Sequence, residues 1–216
     1  MKSTSFLFAK VLFSNAVSCS QFRPVAVGIL LLSAIAFATN ANAQDRFGLL
    51  AGQNISSFRL DPDQGTKVTE SGGFTAGFFY EKGFYDSPAG IHFSTMYIKK
   101  GGIAQDAYYG SIDIKLDYIE QQVLLKVGRG LFVEGGFSLG ALLSARGKVF
   151  GQNEDIRESF SGMDFGFVAG AGFRIGIINI EARYSGSLIS ALNEDFEGQI
   201  FNNGIQLLAG FSIPMN

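Results

Sequence analysis

The chain has 216 residues, with 17 Lys+Arg against 19 Asp+Glu, one His and a formal net charge of −2, a balance that excludes the concentrated positive charge of a nucleic-acid binder. A single cysteine, Cys19, and no tryptophan exclude a disulfide framework and a cysteine-based metal cluster. The 28 Gly and 22 Phe suit closely approaching, twisted strands in which small residues face large ones, and do not suit a helical bundle.

Residues 1–43 carry Lys2, Lys10 and Arg23 and no acid, then the apolar run Val25 to Ala38, then Ala41-Asn42-Ala43 before Gln44. A basic start, an apolar centre and an A-x-A site form a signal peptide, so export through the secretory pathway is expected. The apolar run falls short of the roughly 20 residues a spanning helix needs; an N-terminal anchor is the competing interpretation. Cys19 leaves with the leader. Residues 44–216 then form one domain, and loss of the three leader cations brings its net charge near −5.

Eight segments of the mature region alternate apolar and polar residues with the period of a strand. Arg46 to Ser56 sets Phe47, Leu49 and Ala51 against Gly48, Gly52 and Asn54. Gly73 to Phe84 sets Phe74, Ala76, Phe78 and Tyr80 against Thr75, Gly77 and Glu81. Ala89 to Lys100 sets Ile91, Phe93, Thr95 and Tyr97 against His92, Ser94 and Lys100. Ile114 to Val127 sets Ile119, Val123, Leu125 and Val127 against Tyr118, Glu120, Gln122 and Lys126.

Leu131 to Ala145 sets Leu131, Val133, Phe137, Leu139 and Leu143 against Glu134, Ser138, Gly140 and Ser144. Asp164 to Arg174 is the cleanest, with Phe165, Phe167, Ala169, Ala171 and Phe173 against Gly166, Gly170, Gly172 and Arg174. Ile178 to Leu188 sets Ile178, Ile180, Ala182, Tyr184 and Leu188 against Asn179, Glu181, Arg183, Ser185 and Ser187. Gly204 to Ile213 sets Ile205, Leu207, Ala209, Phe211 and Ile213 against Gln206, Gly210 and Ser212. Pro62, Pro88 and Pro214 fall outside these segments, as ladder hydrogen bonding requires.

Full charges on the polar faces and branched or aromatic residues on the apolar ones, beneath a secretion signal, point to a barrel with lipid outside and a polar lumen inside. The connections agree. Those at Tyr85-Asp86-Ser87-Pro88, Gly128-Arg129-Gly130 and Gly176 are tight, whereas Ser57 to Ser71, Gly101 to Asp113, Arg146 to Met163 and Ile189 to Asn203 are long and polar. Short turns at one end and long loops at the other are the arrangement of outer-membrane barrels. Tyr80, Phe84 and Tyr85 at the turn end, and Tyr97, Phe165 and Phe201 at the loop end, are placed to form two aromatic girdles.

Phe47 to Ser56 (F-G-L-L-A-G-Q-N-I-S), Tyr97 to Gly101 (Y-I-K-K-G), Tyr118 to Lys126 (Y-I-E-Q-Q-V-L-L-K), Val133 to Ala145 (V-E-G-G-F-S-L-G-A-L-L-S-A) and Glu181 to Tyr184 (E-A-R-Y) carry a family resemblance. In their order and spacing the mature region resembles outer-membrane β-barrel proteins of the PorT-like, porin-family type. Members place proline where Gln122 stands, a departure expected to remove a strand irregularity and no chemistry. The resemblance implies residence in the bacterial outer membrane and, through some relatives, a link to secretion-system assembly.

An eight-stranded barrel is just wide enough to be filled by its own side chains. The charges expected inside are Glu81, Glu120, Lys126, Glu134, Arg174, Glu181 and Arg183. In so narrow a space they must pair, which gives a network that plugs the lumen, with a selectivity or gating site as the functional alternative. His92 is the only histidine. As a catalytic residue it would pair with Ser94 or Glu81, yet no G-x-S-x-G elbow is present and a membrane lipase needs its groups at the lipid boundary, so a satisfied lumen histidine is expected.

Asp61-Pro62-Asp63 lacks the remaining positions of an EF-hand loop, and Gly170-x-Gly172 lies within a strand, so neither a metal nor a phosphate-bearing cofactor is expected. Tyr108 and Tyr109 sit at a loop tip, either as a contact patch for a protein or glycan or as a packed loop.

The sequence therefore predicts an all-β, eight-stranded antiparallel up-and-down transmembrane β-barrel. It is expected to be monomeric, surrounded by outer-membrane lipid, with a closed polar lumen and no enzymatic activity, and to serve as a structural, adhesive or secretion-associated surface component. A narrow passive solute channel and a soluble periplasmic ligand-binding barrel are the alternatives.

Overall fold

The computed structural model describes residues 45–61, 67–106, 110–149, 152–193 and 199–215. The expected signal peptide, residues 1–43, and the tip residues Tyr108 and Tyr109 lie outside them. The strands are β1 (Arg46–Asp61), β2 (Lys67–Gly83), β3 (Ala89–Asp106), β4 (Gly110–Gly128), β5 (Leu131–Val149), β6 (Gln152–Asp155), β7 (Met163–Ile175), β8 (Ile178–Ser187) and β9 (Gln199–Pro214), with a 3₁₀ turn at Arg157–Ser159.

Each long strand pairs antiparallel with the next, β5 passing over β6 to reach β7. β9 returns to β1 in register from Arg46↔Pro214 to Asp61↔Gln199. The result is a closed ring of eight strands in which each is paired on both sides through the membrane-spanning part, while β6 pairs with β5 alone. The turns at one end are short, and Gly128 (φ 123°) and Gly176 (φ 60°) adopt the left-handed conformation that favours glycine there.

Alternation decides which side chains go where. Leu125, Val133, Phe137, Phe167, Phe173, Ile180, Tyr184, Leu207 and Phe211 point outward and are exposed, while Glu181 and Arg183 retain 2% and 1% of their accessible surface. A soluble barrel would have the reverse order, because its apolar faces meet in the core. On the β3–β4–β5 wall the apolar rungs run from Ala89/Val127/Val133 up to Tyr97/Ile119. That is roughly 20 Å of height at ~3.3 Å per residue and ~40° of tilt, close to the ~25 Å apolar band of such barrels.

Above that rung the pattern inverts. Ile112, Ile114 and Leu116 turn inward and are fully buried, while Lys115 faces out and Asp117 turns toward Arg146 on the same outer face. With Phe58, Ala104, Leu142, Ala145, Ile156, Phe160, Ala191, Leu192 and Ile200 the inward residues form an apolar cluster that fills the outer end of the barrel. The barrel is thus inside-out within the membrane and conventional outside it, since water replaces lipid as the surrounding solvent.

This inversion corrects the predicted loops. Ser57 to Asp61, Lys67 to Ser71, Gly101 to Asp106, Gly110 to Asp113 and Arg146 to Val149, expected as long polar connections, continue as strands. Their outward polar residues are the wet face of a sheet. β6 is also absent from the expected strands; it folds back on the end of β5 from Arg146↔Asp155 to Val149↔Gln152, and a bridge between Phe160 and Leu192 draws the third and fourth connections over the lumen.

One strand changes phase. β4 and β5 pair Asp117↔Ser144 but Tyr118↔Leu142, skipping Leu143. The extra residue is a β-bulge, and it reverses the facing of the residues after it. Ser144, expected to face the lumen, instead lies on the outer wall, where its hydroxyl donates to Asp117 Oδ2 at 2.9 Å.

Candidate functional site: the lumen network

The seven charged residues expected inside come from five strands, β2, β4, β5, β7 and β8, and each projects into the lumen. Small neighbours make room for them. Arg183 on β8 lies opposite Gly170, and Glu181 opposite Gly172. A β-carbon on Gly172 would stand 2.5 Å from the Phe132 ring and 3.0 Å from Glu181 Cγ. The glycines of β7 therefore let long charged side chains lie across a narrow interior.

Arg183 is the hub, with no exposed side-chain surface. Its Nε donates to Glu134 Oε1 at 2.6 Å, and Nη2 donates to Glu181 Oε2 at 2.6 Å. Nη1 donates to Gln122 Oε1 at 2.7 Å. Nη2 also lies 3.0 Å from His92 Nε2. A guanidinium only donates, so His92 Nε2 accepts, and the ring proton is assigned to Nδ1, which faces Glu81 Oε2 at 4.0 Å. His92 is fully buried and stacks on Phe79 with centroids 4.7 Å apart. Neither lipid nor water reaches it.

Toward the periplasmic end Glu81 collects cations. Lys126 Nζ lies 3.0 Å from Glu81 Oε2, 3.8 Å from Glu181 Oε1 and 3.6 Å from the centre of the Phe132 ring. Arg174 donates from Nη1 to Glu81 Oε1 at 3.2 Å and from Nη2 to Glu81 Oε2, a two-pronged contact. Its Nε donates to Asn179 Oδ1 at 2.7 Å. Arg46 stands at the mouth, donating to Ser212 Oγ at 3.2 Å.

Toward the outer end Glu120 accepts from Gln122 Nε2 at 2.8 Å. Lys100 Nζ bridges Glu120 at 2.7 Å and Asp164 at 2.9 Å, and Asn202 donates to Asp164 Oδ2 at 3.1 Å. Glu81, Glu120, Glu134, Asp164 and Glu181 thus stand against Lys100, Lys126, Arg174 and Arg183, with Arg46 at the mouth. This near-neutral chain crosses the lumen from end to end. Unpaired, each such ion would cost several kcal/mol on burial.

The structure brings all seven of the expected charges into this chain and adds Lys100, Asp164 and Gln122. Lys100, expected to point inward, joins the network as its outer cation. Asp164 shares the phase of Gly166 and Gly170, a signal available in the sequence. Gln122, which stands where members place proline, supplies an amide that links the Arg183 and Lys100 halves. Tyr108 and Tyr109 lie outside the described residues, and their loop-tip role is not placed.

Comparison with known proteins gives the same architecture. Neisserial surface protein A matches over 82% of this chain and 100% of its own, with a TM-score of 0.52 and 16% identity. Ail, the attachment invasion locus protein of Yersinia pestis, matches over 78% of this chain and 98% of its own, with a TM-score of 0.50 and 19% identity. At these identities the likeness is one of fold. No protein of curated function matches the chain. The family model described as the outer membrane protein beta-barrel domain matches residues 40–193. With its closed ring, lipid-facing apolar belt and paired polar lumen, the chain belongs to the outer membrane protein beta-barrel domain family and resides in the bacterial outer membrane.

Proposed function

We propose that this protein is a non-conducting, non-enzymatic surface barrel of the PorT-like type, with a structural, adhesive or secretion-associated role exercised through its outer strand extensions. The observation that carries this reading is the filled lumen. An ion-paired chain centred on Arg183 occupies the membrane-spanning part, and the apolar cluster around Ile114, Leu116, Phe160 and Leu192 caps it. A solute would have to break several buried ion pairs and displace a packed apolar plug. The ring, closed through the membrane-spanning part, offers no edge for strand exchange there, which supports a monomer.

Reconstitution in planar bilayers at neutral pH is the test. A silent membrane is the expected result; long-lived unitary current steps would favour the narrow solute channel instead. Loss of surface adhesion or of protein secretion in a strain lacking the barrel would then separate the adhesive from the secretion-associated role.

The leader reading gives a separate expectation. Cleavage after Ala43 leaves a barrel beginning at Gln44, one residue before Asp45, whose carboxylate accepts from the Tyr80 hydroxyl at 2.6 Å. The intact mass of protein extracted from outer membranes should therefore correspond to residues 44–216.

A further inference from the structure

On the outer wall, immediately above the apolar belt, a cleft of about 420 Å³ crosses β2 to β5. It opens where the β2–β3 ladder parts. Glu70 pairs with Gly102 and Thr75 with Ile98, so four β2 residues stand opposite three of β3. Side chains of β1 satisfy the β3 backbone there: Asn54 Nδ2 donates to Lys99 O at 2.8 Å, and Gly101 N donates to Ser56 Oγ at 2.8 Å. A β-carbon on Gly72 would meet nothing within 4 Å.

The charges around this cleft are one-sided. Lys99, Lys115, Arg146 and Lys148 line it with only Asp113 and Asp117 against them, and Lys100, which also lines it, is held by the lumen acids Glu120 and Asp164. Lys115 pairs with Asp113 at 3.1 Å and Arg146 with Asp117 at 2.6 Å. Lys99 and Lys148 have no carboxylate within 4 Å among the described residues. The cleft therefore holds an excess of two positive charges.

Its height identifies what it faces. Lys99 and Asp117 pair two residues above Tyr97 and Ile119, the last apolar rung of the belt. Phe74, half exposed, forms part of the cleft wall. A cation one rung above the acyl chains meets lipid headgroups, and long basic side chains reach toward their charged groups. The geometry points to the phosphorylated headgroup of an outer-leaflet glycolipid as the occupant of this cleft, engaged by Lys99 just above the belt and by Lys148 two rungs further out, opposite Asp113, with Phe74 and Tyr97 against the apolar part of the same molecule. This goes beyond the surface role proposed above, because it needs neither a protein partner nor a particular task.

The test uses the whole barrel refolded in zwitterionic detergent micelles doped with lipid A, with measurement of the lipid A hydroxyacyl chains retained per barrel. Wild type should saturate near one lipid per barrel. K99Q/K148Q should weaken retention about thirtyfold, at ~1 kcal/mol for each cation near a charged surface. D113N, which frees Lys115, should strengthen it. All three substituted positions lie outside the buried network, and unchanged heat-modifiability on a detergent gel verifies that each variant folds. Equal retention by wild type and K99Q/K148Q, or equal retention of dephosphorylated lipid A, overturns the proposal. Complete displacement by millimolar inorganic phosphate also overturns it, by identifying a soluble anion as the ligand.

Discussion

Replacing Arg183 with methionine is expected to cost the barrel about 3–5 kcal/mol of folding free energy, the usual penalty for removing one partner of a buried ion pair. The cost comes from the carboxylates left behind. Glu134 and Glu181 have no exposed side-chain surface, and Arg183 supplies Glu134 with its ion pair. Lys126, 3.8 Å from Glu181, partly holds the second carboxylate. The midpoint of urea unfolding in detergent, monitored by the gel shift between folded and unfolded forms, should fall accordingly. R183K restores one charge but not the fork that reaches Glu134, Glu181 and Gln122 together, so it should recover less than half of the loss. R183M/E134Q/E181Q, which removes the charges jointly, should approach wild type. If R183M alone unfolds like wild type, the lumen is hydrated and the ions are not truly buried.

That experiment bears on how much of the site the sequence contained. Period-two alternation assigned Glu81, Glu120, Lys126, Glu134, Arg174, Glu181 and Arg183 to one face, and in a closed eight-stranded ring one face is one lumen. Residue identity along a strand therefore carries three-dimensional information. The same rule, applied to the phase of Asp164 with Gly166, identifies the outer acid of the network as well. Partner choice was not legible, because it depends on how far a guanidinium reaches across a lumen that exists only after closure: Arg183 on β8 meets Gln122 on β4 and Glu134 on β5.

Two features broke the rule for physical reasons. In Ile112-Asp113-Ile114-Lys115-Leu116-Asp117 the alternation is perfect, yet its apolar members point inward because that part of the strand stands in water. Assuming one surrounding solvent for the whole strand starts it at Ile114 and leaves Ile112 and Asp113 in the connection before it. The bulge at Leu143 leaves no trace in composition, and only the pairing with β4 reveals that Ser144 has changed sides. β6 is four residues long, too short for periodicity to register.

The change of solvent along a single strand predicts opposite responses to substitution a few residues apart. Val123 is exposed on β4 between Phe93 and Phe137 in the middle of the belt. Arginine there should destabilise the folded barrel in bilayers by about 2–4 kcal/mol, the cost of a cation on the lipid face near the midplane. Lys115, earlier on the same strand and also facing outward, stands above the belt with most of its side chain exposed. Valine there should change stability by no more than about 0.5 kcal/mol, since its pair with Asp113 is a surface contact. Folding yield into lipid vesicles and urea midpoints measure both. In a water-surrounded barrel V123R would cost almost nothing. A near-zero effect at Val123 would therefore remove the lipid from that face, and with it the reason for the charges to be inside.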